Sequence, residues 1–145
     1  MLPFILVAVS FLFMEFVAWF THKYIMHGIL WSWHESHHKP HHDKIEKNDL
    51  FSIVFSLLAV VLTIIGCVFD KVSYLIWIGV GISCYGLFYF IFHDVIVHRR
   101  LKIKFVAKSN YLKRMIRAHK MHHKKTEKEN GEAFGFLWAS KKYEI

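Results

Sequence analysis

Ten of the twelve histidines fall into four short clusters, and the spacing of those clusters repeats. His22-Lys-Tyr-Ile-Met-His27 is followed by His34-Glu-Ser-His37-His38. His93-Asp-Val-Ile-Val-His98 is followed by His119-Lys-Met-His122-His123. The pattern H-x4-H and then H-x2-H-H therefore occurs twice. Neutral imidazole is the commonest protein metal ligand, and a dense histidine set without cysteine partners suits iron, copper or zinc. Ten imidazoles are too many for one ion, so the pattern predicts two ions side by side.

Helical geometry says how the clusters must be presented. Residues at i, i+3 and i+4 share a helix face, so His34, His37 and His38 can converge, as can His119, His122 and His123. The H-x4-H pairs differ, because five steps of roughly 100° leave the two side chains about 140° apart on an ideal helix. His22 with His27, and His93 with His98, therefore require a helix end, a distortion or a turn. Each pair then serves one ion across that break or reaches towards two different ions.

The elements that must position these residues are apolar and long. The chain has 145 residues, the length of one domain (1–145), with 54% hydrophobic and 17% aromatic residues and a mean hydropathy of +0.29. Three runs, 2–20, 51–69 and 72–92, are long enough to cross a bilayer core of about 30 Å, and Glu15 is their one intramembrane carboxylate. The fold class expected is all-α: an integral membrane bundle of about three spans with a helical cap holding the histidines. No basic stretch precedes the first run, which argues against a signal peptide.

Charge sets the topology. Of 19 Lys and Arg residues, four lie in the His-rich segment 21–50, fourteen follow His93, and only Lys71 lies between the second and third spans. Positive loops face the cytoplasm, so segments 21–50 and 93–145 are expected there, with the Asp70-Lys71 turn outside. The net charge of +8 flanks hydrophobic spans, which disfavours a nucleic-acid reading.

Other residues are assigned by position. Glu15, Trp19 and His22 share a helix face, and Glu15 is a candidate to fix a ligand tautomer or to be a neutral carboxyl near the interface. Asp94, next to His93, is a candidate partner of the same kind. The segment 28–33 reads as a turn, with Trp31 and Trp33 as headgroup-level anchors. Pro40 pushes Lys39 out of helical conformation and ends the ligand helix, so His41 and His42 leave its register and read as surface or outer-sphere residues. Asn48-Asp49 reads as a helix N-cap. Gly79, Gly81, Ser83 and Gly86 give the third span small contact positions. Tyr85, Phe88, Tyr89 and Phe92 either line a tunnel for a flat apolar substrate or simply pack. Cys67 and Cys84 suggest neither a disulfide nor metal chemistry. Residues 111–125 read as an amphipathic helix lying along the headgroups. Residues 131–138 are apolar but too short to span, and either cover the site or dip into the interface. No nucleotide fingerprint or haem-attachment motif occurs, so reductant is expected from another protein.

Taken together, HKYIMH, HESHH, HDVIVH and HKMHH resemble the fatty acid hydroxylase/sterol desaturase superfamily of membrane non-haem di-iron oxygenases. The resemblance is closer still to the bacterial β-carotene hydroxylases within it, through Asn48-Asp-Leu50, Tyr85-Gly-Leu87, Tyr111-Leu-Lys-Arg114 and Phe134-Gly-Phe-Leu137. It covers roughly His22 to Leu137. It implies two iron ions held by His22, His27, His34, His37, His38, His93, His98, His119, His122 and His123, with O2 as co-substrate. It implies hydroxylation of the β-ionone rings of β-carotene at C3 and C3′, giving zeaxanthin through β-cryptoxanthin. Electrons would come from a ferredoxin and its reductase, and the location would be a bacterial cytoplasmic membrane with the site on the cytoplasmic side. A carotenoid ketolase or a fatty acid or sterol hydroxylase would use the same metal chemistry. A non-enzymatic haem- or metal-binding membrane protein would need histidines or acids along the spans, which offer almost none apart from Glu15. Nothing in the sequence sets an oligomeric state.

Overall fold

A computed structural model describes residues 1–39 and 45–144, and every regular element among them is helical. The first apolar run forms α1 (Leu2–Phe20), with Pro3 in its first turn, where a missing N–H leaves nothing unpaired. The chain does not stop there but continues as a π-helical segment, Thr21–Ile29. A short helix, α2 (Trp31–His38), follows, and α3 (Asp49–Val68) carries the second apolar run. A single 3-10 turn, Asp70–Val72, leads to α4 (Tyr74–Tyr89), which is extended by a second π-helical segment, Phe90–Val97. The last α-helix, α5 (Asn110–His123), is capped by Ser109, whose hydroxyl accepts from Leu112 N at 3.2 Å, and a 3-10 turn, Lys141–Tyr143, follows it.

Among the described residues three helices are long and apolar enough to cross a membrane: Leu2–Ile29, Asp49–Val68 and Tyr74–Val97. The first and third run past the expected ends at 20 and 92 by about the width of an H-x4-H motif. In a π-turn the hydrogen bond shifts to the fifth residue without breaking the helix, as His98 N to His93 O (2.9 Å) shows; Leu30 N to Ile25 O (2.9 Å) closes the first segment across a kink. The expected turn at 28–33 shrinks to Gly28–Leu30, where Gly28 leaves helical geometry (φ −117°, ψ −115°). Lys39 is extended (φ −106°, ψ 144°), as a residue before proline must be.

Helix α4 is central and packs on both α1 and α3. Two glycines allow this: a Cβ on Gly81 would meet Val7 O of α1 at 2.7 Å, and one on Gly79 would meet Ala59 O of α3 at 2.7 Å. Met14, Ala59, Ile82 and Tyr85 form the core between the spans. Leu12, Phe13 and Phe16 on α1, and Val54 and Leu57 on α3, face outward, an arrangement that lipid favours and water penalises. Overpacking a close contact costs about 1–3 kcal/mol. Gly81→Val is therefore expected to lower the unfolding midpoint in detergent. Gly86→Ala should not, since a Cβ there meets nothing within 4 Å. Equal midpoints for Gly81→Val and the native chain would contradict this packing.

A second core, Phe92, Val97, Met115, Ala118, Phe136, Ala139 and Tyr143, holds α5 and the C-terminal segment over the histidine-bearing end of the bundle. The buried face of α5 is Met115, Ala118, His119 and His122, while Lys113, Arg117 and Lys120 are exposed.

Candidate metal centre

The two π-turns decide how the histidines meet. Closing the turn on the fifth residue brings i+5 back over i, so both members of each H-x4-H pair point into one place. His22 and His27 join His34, His38 and His122. His93 and His98 join His37, His119 and His123. Within each group of five, one nitrogen from every ring lies within 4.8 Å of all the others.

The two H-x2-H-H triads do not converge as expected. In each, the i,i+4 pair enters one group and the middle histidine crosses to the other. Positions i+3 and i+4 lie on opposite flanks of position i, roughly 100° apart, so a helix laid between two centres feeds both. Helix α2 gives His34 and His38 to the first and His37 to the second; α5 gives His119 and His123 to the second and His122 to the first. The centres share a wall, with the His38 and His123 rings stacked at 4.5 Å.

The donor chemistry fits metal. Seven Nδ1 atoms face oxygen acceptors: His22 to Phe134 O (2.9 Å), His27 to Lys128 O (2.9 Å), His34 to Asn48 Oδ1 (2.7 Å), His38 to Lys125 O (2.7 Å), His122 to Glu132 O (2.7 Å), His37 to Glu46 Oε2 (2.7 Å) and His93 to Asp94 Oδ1 (2.9 Å). Such oxygens only accept, so each Nδ1 carries the proton and each Nε2 presents a lone pair. Yet Nε2 faces Nε2 in His22–His34 (3.1 Å), His38–His34 (3.0 Å), His27–His122 (3.2 Å) and His37–His93 (2.9 Å). Two lone pairs cannot hydrogen-bond. A shared cation reconciles them, and nitrogens bound at right angles to one ion at about 2.0–2.1 Å lie roughly 3 Å apart.

Electrostatics agree. Burial, the largest cause in each case, pushes His34 down to about 3 and His38 and His98 down to about 4. It pushes His122 down to about 2 and holds His37, His119 and His123 well below the usual imidazole range. The rings are thus neutral donors at physiological pH. Because these folded values lie below the free value of about 6.5, the unfolded chain binds protons first as pH falls. The metal-free protein is expected to keep its full stability above that value and lose it progressively towards about pH 4. Melting midpoints at about pH 7.5 and about pH 5 check the sign; a midpoint that rises in acid would refute it.

Around the rings, Phe134 and Phe136 pack against His22 at 5.3 and 5.7 Å, so segment 131–138 covers the site. Ala133 takes a left-handed conformation (φ 57°), which lets the flanking carbonyls of Glu132 and Phe134 both serve the first centre. Glu15 touches no histidine. Its Oε1 accepts from Phe136 N (2.8 Å) and Leu137 N (2.9 Å), and its Oε2 from Tyr85 OH (2.7 Å), so it anchors the covering segment. Trp31 packs on His27 and His38 at 5.2 and 5.5 Å. Asn48 makes no side-chain cap and holds His34 instead. His41 and His42 lie outside the described residues.

A cavity of about 560 Å³ runs from Met14, Phe55, Ala59 and Ile82 to His22 and His34, with Tyr85 and Tyr89 in its wall. Tyr89 stacks on His93 at 4.5 Å, its hydroxyl 3.5 Å from Nε2. Phe88 and Phe92 lie off the cavity wall, stacked on each other at 5.9 Å. Two further residues, Glu46 and Arg100, escape sequence reasoning, as does the contact of Asn48 with His34. Arg100 donates to Asp49 Oδ1 (2.7 Å) and Glu46 Oε1 (2.7 Å), and lies 3.8 Å from Asp94.

Among known proteins, the family model described as Fatty acid hydroxylase matches residues 7–140. The chain is 40% identical to a β-carotene hydroxylase of Paracoccus sp. (strain N81106 / MBIC 01143) over 140 residues, 96% of this chain and 85% of the relative. It is 44% identical to that of Pantoea ananas over 135 residues, 93% and 76% of the two chains. It is 37% identical to the chloroplastic β-carotene 3-hydroxylase 1 of Arabidopsis thaliana over 134 residues, 90% and 42% of the two chains. No solved structure matches it.

Proposed function

The chain belongs to the fatty acid hydroxylase family, and we propose that it is an oxygen-dependent di-iron hydroxylase of carotenoid rings, converting β-carotene through β-cryptoxanthin to zeaxanthin. The observation that carries this is the pair of five-histidine groups at the inner end of an apolar cavity. Each group would hold one iron, and when bound the two irons supply O2 activation and attack on an unactivated C–H bond, with electrons from a ferredoxin-type donor.

The chain's own residues do the rest. The acceptors on Nδ1 keep each ring in the tautomer that offers Nε2. Phe134 and Phe136 exclude water from the rings. The cavity is the right size for one end of a long polyene, and Tyr85, Tyr89 and Phe136 would present a flat ring to the centres while the remainder stays in lipid. The basic residues gathered at the histidine-bearing end suit an acidic redox protein and support a bacterial cytoplasmic membrane with that end facing the cytoplasm.

The test is pigment analysis by chromatography and mass spectrometry in a bacterium engineered to accumulate β-carotene. Zeaxanthin is expected. A keto product would move the chain to ketolase chemistry at the same site, and unchanged β-carotene with iron-loaded protein and a supplied ferredoxin system would reject a carotenoid substrate.

A further inference from the structure

The two groups of five are alike in ligands but not in what stands behind them. Every acceptor of the first group is neutral: four backbone carbonyls and the Asn48 amide oxygen. In the second group His37 and His93 donate to carboxylates, Glu46 and Asp94. Arg100 gathers those two and Asp49, so three carboxylates lie around one guanidinium beside the second centre. An imidazole bonded to a carboxylate is the more basic ligand, because the charge-assisted bond draws Nδ1–H away from the ring. A carbonyl orients the ring without that gain. Among the described residues His119 Nδ1 is buried with no acceptor, so Glu46 and Asp94 carry the bias.

We propose that the two metal sites are unequal: the His37–His93–His98–His119–His123 site holds its ion more tightly, and Glu46 and Asp94, oriented by Arg100, are the positioning residues that make it so. This rests on the two-metal reading of the histidines.

The experiment is equilibrium competition in detergent, without oxygen, of the metal-free full chain and Fe(II) alone against a chromophoric ferrous chelator. Two ions per chain are expected, with affinities at least about 10-fold apart. Glu46→Gln and Asp94→Asn should each weaken only the tighter step, by about 10–100-fold. Asn48→Asp, which puts a carboxylate behind His34, should strengthen only the weaker step and narrow the gap. That variant adds a contact, so it remains informative if the others fail to fold. Two ions with equal affinity, or variants that act on the opposite step, would overturn the inference while leaving two sites standing. Fewer than two ions would overturn the two-metal reading itself.

Discussion

His37→Ala and His122→Ala are each expected to reduce ring hydroxylation to below about 1% of the native rate, a loss of roughly 3 kcal/mol or more, and to remove different ions. Each is the one histidine that its helix sends across to the opposite group: His37 from α2 into the second, His122 from α5 into the first. Neither has a neighbour able to replace it, because the adjacent His38 and His123 are committed to the other centre. Both are buried, so alanine leaves a gap lined by lone pairs rather than a site that can close. Iron content should fall towards one per chain in either variant and towards none in the double variant. Pigment composition and metal analysis on the same preparations check this. Full iron and full activity in His37→Ala would break the assignment of crossing ligands.

Glu15→Ala is expected to destabilise the protein by about 3 kcal/mol or more, the largest effect of any change outside the histidines. It strips the acceptor from Phe136 N, Leu137 N and Tyr85 OH together, and each orphaned donor in apolar surroundings costs about 1–3 kcal/mol. The loss also reaches the metal centre, because the segment released is the one whose Phe134 carbonyl orients His22. Glu15→Gln keeps one acceptor oxygen and should fall between. Thermal unfolding in detergent orders the three chains; a Glu15→Ala midpoint equal to the native one would refute the anchor.

How far the molecule was legible follows from what each residue's role depends on. The spans were readable because lipid tolerates only long apolar helices, and the ten histidines because their spacing is local. The crossing of His37 and His122 was not readable, since i+3 and i+4 each adjoin position i on an isolated helix and only a second centre sends them apart. The spacing of His22 and His27 demanded a distortion, but a π-turn and a helix end give the same sequence. That Tyr85 and Tyr89 line the cavity while Phe88 and Phe92 do not depends on which side of the third span adjoins it, a matter of tertiary packing. Lys125, Lys128, Glu132 and Phe134 act through backbone carbonyls, which leave no trace in residue type. Arg100 reads as one more positive charge until the chain brings Glu46, Asp49 and Asp94 around it.

The exchange of one histidine between α2 and α5 also bears on how the protein comes to exist. A chain emerging from the ribosome as far as His98 holds four ligands of the first group and three of the second, and completes neither. Both centres wait for residues 119–123, and their cover waits for residues 131–138. Two self-contained halves would have allowed one group of five to form while the rest was still being made. Interleaving ties both groups to the same late segment: neither set of five is complete until residues 119–123 are in place.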